Sequence, residues 1–413
     1  MLQVFRAARV WDATGGSMLH DAAVVVEEGR ISQVGPWSRI TVPEQAEVRH
    51  FPEHTLLPGL IDCHVHVTGQ SYGVSPLPVP EAKMALLAAH ALGRALRAGV
   101  TTLRDLGSTF QCVFALKDAI AGGIIEGPRL LVAGAGICMT GGHGYNGLAI
   151  QADGADACRR LAREQLRQGA DVIKLMASGG AATPRELPHE SQLTVEEMRA
   201  AVEEAHKAGR PATAHALPTH SIVEAIEAGV DSIEHGTLLD DAAIEAMLKH
   251  DVTLVPTLSI ADRMISHGAA VGLPSYTVDK ARALLPGRVE RVAQAYRAGV
   301  RIAFGTDAGA PFHPLGDVVH EMLLLHEAGL TPEQVLISAT RTAAAAIRRQ
   351  SELGTLEPGK IADLLVVRGN PLLDLRALAD PVLVAKAGQI VEGAAVEPNA
   401  YLEQIKATLY AHI

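Results

Sequence analysis

Aromatic side chains are scarce in this chain of 413 residues, where Phe, Trp and Tyr together supply only 3%. A large core is still required, because 48% of the residues are hydrophobic, so it must be assembled from Ala, Val, Leu and Ile. Cysteine is equally sparse: Cys63, Cys112, Cys138 and Cys158 form no CxxC pair and read as reduced thiols of a cytosolic protein. No uninterrupted apolar run is long enough to span a bilayer. The opening stretch Met1-Leu2-Gln3-Val4-Phe5-Arg6 leads directly into strand-like sequence without an apolar signal core, so a cytoplasmic location is expected. Positive charge is also in deficit, and a formal net charge of -10 argues against nucleic acid and anionic membranes as partners. The expectation is an enzyme with one large domain and one smaller one.

The texture of the chain changes twice. Residues 1–57 look all-β, and Ala22-Ala23-Val24-Val25-Val26-Glu27-Glu28-Gly29-Arg30-Ile31 reads as a hairpin with a glycine-containing turn. From Leu57 onward short apolar strands alternate with Ala-rich helical stretches. After the strand that carries His64, further strands are predicted over Val100 to Asp105, Arg129 to Ala133, Val172 to Met176, Pro211 to His215, Asp231 to His235, Val252 to Pro256 and Arg301 to Asp307. Helices are predicted over Glu81 to Ala98, Asp156 to Gln168, Thr194 to Ala208 and Asp279 to Ala298, several stopping at Ala-Gly. Eight strands alternating with helices favour an α/β fold of the (β/α)8 TIM-barrel type over residues 58–347. Residues 348–413 turn β-like again before a terminal helix. With residues 1–57 they are expected to form one small β-sandwich built from both chain ends.

His64, His66, Lys174, His215, His235 and Asp307 each lie within or at the end of a predicted strand. His64 and His66, at i and i+2, leave the same face of theirs. A lone strand-end histidine such as His215 or His235 is more often a packed residue than a ligand, so the set carries the argument rather than any member. Four imidazoles and a carboxylate at one barrel rim suit Zn²⁺ or another borderline divalent ion. Lys174 is the odd member, because a protonated ammonium beside cations is repelled and an apolar strand is a poor home for it. A neutral lysine can instead add CO₂ and become an anionic carbamate that bridges two metals. Asp62, Asp105 and Glu234 read as supporting groups with no distinct catalytic task.

With its HxH, Lys, His, His, Asp set in order, the chain resembles the amidohydrolase superfamily. That resemblance implies two divalent metal ions, most simply Zn²⁺. His64, His66 and Asp307 would hold the more buried ion and His215 and His235 the more exposed one, with carboxylated Lys174 bridging both. It further implies hydrolysis by metal-activated hydroxide, with Asp307 moving the proton from nucleophile to leaving nitrogen. Relatives of this kind often form homo-oligomers, so more than a monomer is expected.

Met139-Thr140-Gly141-Gly142-His143-Gly144 and Met176-Ala177-Ser178-Gly179-Gly180 resemble the peptidase-like branch related to imidazolonepropionase, which includes Xaa-Pro dipeptidases, arginine carboxypeptidases and ochratoxin-type amidases. The resemblance implies that His143 contacts the substrate near its carbonyl and carboxylate, and Ser178 and Gly179 are further candidate contacts. His-Ala-Tyr is usual in that branch where this chain has His215-Ala216-Leu217. Losing a hydrogen bond to a charged group costs about 1.5–3 kcal/mol, so Leu217 favours a more apolar substrate unless Tyr145 or Arg185 supplies the contact. Ser71 to Pro80 and Ser259 to Tyr276 are long segments after the first and seventh strands, expected as lids, specificity walls or subunit contacts. The function implied is cleavage of the amide of a dipeptide or N-acyl amino acid with a free carboxylate. The alternatives are a cyclic amide, lactone or carbamate hydrolase on the same site, and a non-catalytic scaffold relative.

Overall fold

A computed structural model describes residues 2–42, 44–71 and 79–393. Most of the expected lid after the first strand and the expected terminal helix lie outside the described residues. Strands from both chain ends share one mixed seven-stranded sheet. Its order is Gln389–Val391, Pro381–Lys386, Leu364–Arg368, Glu47–Pro58, Leu2–Val10, Leu19–Glu27, Arg30–Pro36. The ends meet where Leu364–Arg368 runs antiparallel to Glu47–Pro58. The predicted hairpin is present, with Glu27 paired to Arg30 and both turn residues, Glu28 and Gly29, at positive φ as a type I′ turn requires. Val24 and Val26 pack with Phe5, Leu364 and Val366 on one face of the sheet, while Val25 packs with Val4 and Ala23 on the other. Burial on both faces explains the unbroken valine run.

The remaining strands are parallel and fall into two sheets. Leu60–Val65, Val100–Asp105 and Arg129–Val132 pair in that order. Gly136–Cys138, Ile173–Met176, Ala212–Pro218, Ser232–Leu238 and Thr253–Val255 form the second, with Ala149–Gln151 at its edge. The third predicted strand, Arg129 to Ala133, is present as Arg129–Val132, and the short strand Gly136–Cys138, which the sequence did not predict, follows it in the second sheet.

The eighth predicted strand, Arg301 to Asp307, is not a regular strand. Single bridges tie Ile302 to Leu254 and Ala308 to Val65, and the Phe304 carbonyl accepts the Cys63 N–H at 3.0 Å. The ladder fails for a local reason. The Asp62 carboxylate takes the Thr306 N–H at 3.1 Å and its hydroxyl at 2.6 Å, and Asp307 adopts φ +58°. The segment thus spans between the two parallel sheets through scattered backbone hydrogen bonds, to Leu254 on one side and to Cys63, His64 and His66 on the other, with the Asp62 side chain reinforcing them.

Helices Glu81–Arg97, Ala155–Gln168 and Val195–Lys207 match expectation, the last with a Thr194/Glu197 capping box. Two expectations need correction. The helix predicted over Asp279 to Ala298 is two helices, Ser275–Leu284 and Arg288–Ala298, broken at Leu285-Pro286-Gly287 because proline cannot continue a helix. The loop expected over Ser259 to Tyr276 is mostly helical, beginning with Ser259–His267. No helix among the described residues is long and apolar enough to cross a membrane.

Gly309 closes the turn after Asp307 at φ +145°, and a Cβ there would lie 1.9 Å from the His66 carbonyl oxygen. Gly309→Ala is expected to lose about 1–3 kcal/mol of stability in urea unfolding through backbone strain alone. An unchanged midpoint and slope would refute the close approach.

Candidate metal centre

The carboxyl ends of the parallel strands open into one cavity of about 500 Å³, and His64, His66, Lys174, His215, His235 and Asp307 all line it. His64 comes from Leu60–Val65 and His66 follows its end. Lys174, His215 and His235 come from three successive strands of the second sheet, and Asp307 from the spanning segment. Ligand atoms of His64, His66 and Asp307 lie within 4.8 Å of one another. His66 Nε2 is 3.2 Å from Asp307 Oδ1 and His64 Nε2 is 3.6 Å from it.

Five imidazoles then run in a row. Ring centroids step 5.4 Å from His66 to His64, 4.9 Å to His235, 4.6 Å to His215 and 4.1 Å to His143, the last pair stacked. One nitrogen of each ring is held by the protein. His64 Nδ1 donates to Glu234 at 2.7 Å, His66 Nδ1 to the Gly107 carbonyl at 3.1 Å, and His215 Nε2 to the Gly179 carbonyl at 3.1 Å. His143 Nδ1 donates to Glu186 at 2.6 Å, and His235 Nδ1 meets the Thr257 hydroxyl at 2.6 Å. Carboxylates and carbonyls only accept, so the tautomer that each of these four rings adopts when neutral is fixed, with the lone pair on the opposite nitrogen.

The electrostatics favour the neutral, ligand-competent ring at His64, His215 and His235. Burial holds His64 and His215 well below the ordinary imidazole range and pushes His235 down to about 4. Burial would depress His66 too, but the adjacent Asp307 carboxylate outweighs it and raises the ring. Burial opposes ionisation of Asp307, yet the His64 and His66 rings prevail and hold its carboxyl far below the usual range. Burial pulls Lys174 down to about 8, and its Nζ has no hydrogen-bond partner among the described residues.

Beneath the row lies a buried ionic network. Glu234 Oε1 accepts Arg104 Nη2 at 2.8 Å together with the hydroxyls of Thr213 and Ser232, while Oε2 holds His64. Arg104 also donates Nε to the Cys63 carbonyl at 2.6 Å. Sequence reading placed Glu234 as a supporting group but passed over Arg104, whose signal was a charge inside the strand Val100–Asp105. Glu186 and Thr257 had no comparable signal, since they come from loops that meet the histidines only in three dimensions.

His143 and Leu217 line the cavity as expected, but four other expected contacts do not. Ser178 is buried, with Oγ accepting the Leu217 N–H and donating to the Gly179 carbonyl. The Gly179 N–H bonds the Glu190 carbonyl. Tyr145 and Arg185 are exposed and lie off the cavity wall.

Parallel strands carrying this residue set at their carboxyl ends define a hydrolase class, and the chain belongs to the amidohydrolase family, whose model matches residues 55–393. It is an enzyme of that family, a hydrolase acting on C–N bonds. It is 31% identical to ochratoxinase of Aspergillus niger, covering 93% of this chain and 85% of that one. It is 29% identical to imidazolonepropionase of Rhizorhabdus wittichii, covering 88% and 92%. The solved structure of a Xaa-Pro dipeptidase with bound methionine superposes with a TM-score of 0.89 at 31% identity, covering 95% of this chain and all of that one.

Arg104→Met is expected to cost about 3–5 kcal/mol, because it leaves Glu234 buried without its counter-charge. Pairing it with Glu234→Gln should recover part of that loss in urea unfolding. Strictly additive losses would refute the coupling.

Proposed function

We propose that this chain is a dinuclear metal-dependent amidohydrolase cleaving the amide bond of a dipeptide or N-acyl amino acid with a free carboxylate. Ochratoxin-type amides fall within that class. The observation that carries the reading is the convergence of six side chains from five separated stretches on one cavity, with the imidazoles oriented by protein acceptors. The frame of the proposal is a (β/α)8 barrel over residues 58–347, with residues 1–57 and 348–413 building the β-sandwich. Parallel pairing on both sides of the segment 301–308 supports the barrel.

The donor set fits two divalent ions. His64, His66 and Asp307 would hold one, His215 and His235 the other, and imidazole with carboxylate suits Zn²⁺. The orphaned Nζ of Lys174 fits the carbamate: its neutral amine bonds the carbon of CO₂, releases one proton and gains an anionic two-oxygen end. Ions bound there lower the pKa of water and polarise a carbonyl oxygen.

Asp307, held ionised, accepts the proton of the attacking water and returns it to the leaving nitrogen. Glu186 fixes the His143 ring so that Nε2 faces the substrate. Leu217, Leu258, Met264 and Phe312 line the cavity and suit an apolar acyl or leaving group, from which they exclude water.

Hydrolysis is expected after loading with Zn²⁺ and bicarbonate, to disappear on chelation and to return on reloading. Asp307→Asn should lower kcat by at least roughly 100-fold; near-normal turnover with metal content intact would sink the proton-transfer role. A panel pairing dipeptides and N-acyl amino acids with their C-terminal amides should show turnover of the free carboxylates. Equal rates on the amides, or turnover only of lactones or carbamates, would discard carboxylate recognition.

A further inference from the structure

A substrate with a free carboxylate needs a cation that is not a metal ligand, and the cavity wall offers one. Among the described residues, Arg288 lines the cavity as a basic side chain outside the ligand set, which already includes Lys174. We propose that Arg288 is the carboxylate anchor of this enzyme and determines its preference for substrates with a free carboxyl terminus. The inference rests on the amidohydrolase reading given above.

Arg288 is a built feature of the wall. It opens the helix Arg288–Ala298 directly after the break at Leu285-Pro286-Gly287, which aims the first turn of that helix at the cavity. Its guanidinium is buried and fixed along one side: Nε donates to the Leu258 carbonyl at 3.4 Å and Nη2 to Asp262 Oδ1 at 2.7 Å. Asp262 is steadied in turn by His320 Nε2 at 3.1 Å. Nη1 has no acceptor among the described residues, so its donors remain for a ligand. A planar guanidinium held along one edge presents the other as a fork suited to a carboxylate.

The same wall segment connects this fork to the metal-ligating row. The Thr257 hydroxyl holds His235, and the carbonyl of the next residue, Leu258, holds Arg288. Leu217, Leu258, Ala261 and Leu284 line the same cavity and supply no competing side-chain donor. In the leaving residue of an acyl-amino acid, the carboxylate is separated from the scissile carbonyl by only the amide nitrogen and Cα. The proposal places the scissile carbonyl at the imidazole row and the carboxylate of the same molecule at Arg288, both on the wall of one cavity. The pairing with Asp262 tempers the positive charge but also prevents the side chain from swinging away.

The test uses the metal-loaded enzyme, the best substrate of the hydrolysis panel and the C-terminal amide of that substrate. Arg288→Gln should shrink the ratio of kcat/KM between carboxylate and amide by roughly 10- to 150-fold, mainly through KM. Arg288→Lys should restore part of it by returning a point charge without the fork, and it carries the same ratio test if the Gln variant does not fold. A ratio preserved in both variants overturns Arg288 as the anchor while leaving the amidohydrolase reading intact. A purely structural role would lower both substrates equally and also overturns the inference. A wild-type enzyme indifferent to amidation overturns both the anchor and the carboxylate reading.

Discussion

The buried carboxylate of Asp62 is the constraint on which the site depends. It accepts the backbone N–H of His64 at 3.1 Å, the N–H of Thr306 at 3.1 Å and the Thr306 hydroxyl at 2.6 Å. One side chain thereby locks the strand that delivers His64 and His66 to the segment that delivers Asp307. Without it the two contributions would be joined by the bridge between Val65 and Ala308 and by three backbone hydrogen bonds, Cys63 N–H to Phe304, Asp307 N–H to His64 and His66 N–H to Ala308. The price is an interrupted strand and a left-handed Asp307, whose carboxylate is turned by that conformation onto the two imidazoles.

Glu234 does for the second sheet what Asp62 does for the first. Its two oxygens face different tasks, one neutralised by Arg104 and one orienting His64. Since Arg104 also reaches the Cys63 carbonyl, the strands Leu60–Val65, Val100–Asp105 and Ser232–Leu238 converge on one ion pair. A charge pair this deep is weak evidence of net stability, because desolvation consumes most of its attraction. Its value lies in geometry. It fixes which nitrogen of His64 carries the proton, and a ligand imidazole with the wrong tautomer is no ligand.

These layers were unequally legible in the sequence. Residues such as His64, Lys174 and His235 could be read because strand ends are local signals, and a strand end in a parallel α/β fold is where chemistry collects. Supporting contacts are non-local. Nothing near Glu186 announces that it will meet His143, and nothing near Thr257 points to His235. Ser178 misled for the complementary reason: a hydroxyl in a Gly-rich stretch looks like a ligand contact, whereas here it bonds the backbone of Leu217. The eighth strand was located correctly and typed wrongly, since its apolar pattern is strand-like while its pairing is reduced to isolated bridges and a side chain from another strand takes part in it. Pro286-Gly287 was a readable helix break, but the Ala-rich periodicity on both sides concealed it.

The structure thus separates chemistry from recognition. The proposed ligand residues come from parallel strands and from the segment 301–308, whose positions are fixed by buried hydrogen bonds, and they would be difficult to alter singly. Much of the recognition wall comes from the segment between Pro256 and Arg288, built of short helices whose inner faces carry Ile260, Ala261, Met264, Ala281 and Leu284 into the cavity. A side-chain exchange on those helices changes the volume or polarity of the cavity without touching the ligand row. The exception is Thr257-Leu258, where one dipeptide holds both the His235 imidazole and the Arg288 guanidinium. Selection for a new substrate can remodel the helices on either side of that dipeptide, but the dipeptide itself must keep holding His235 and Arg288.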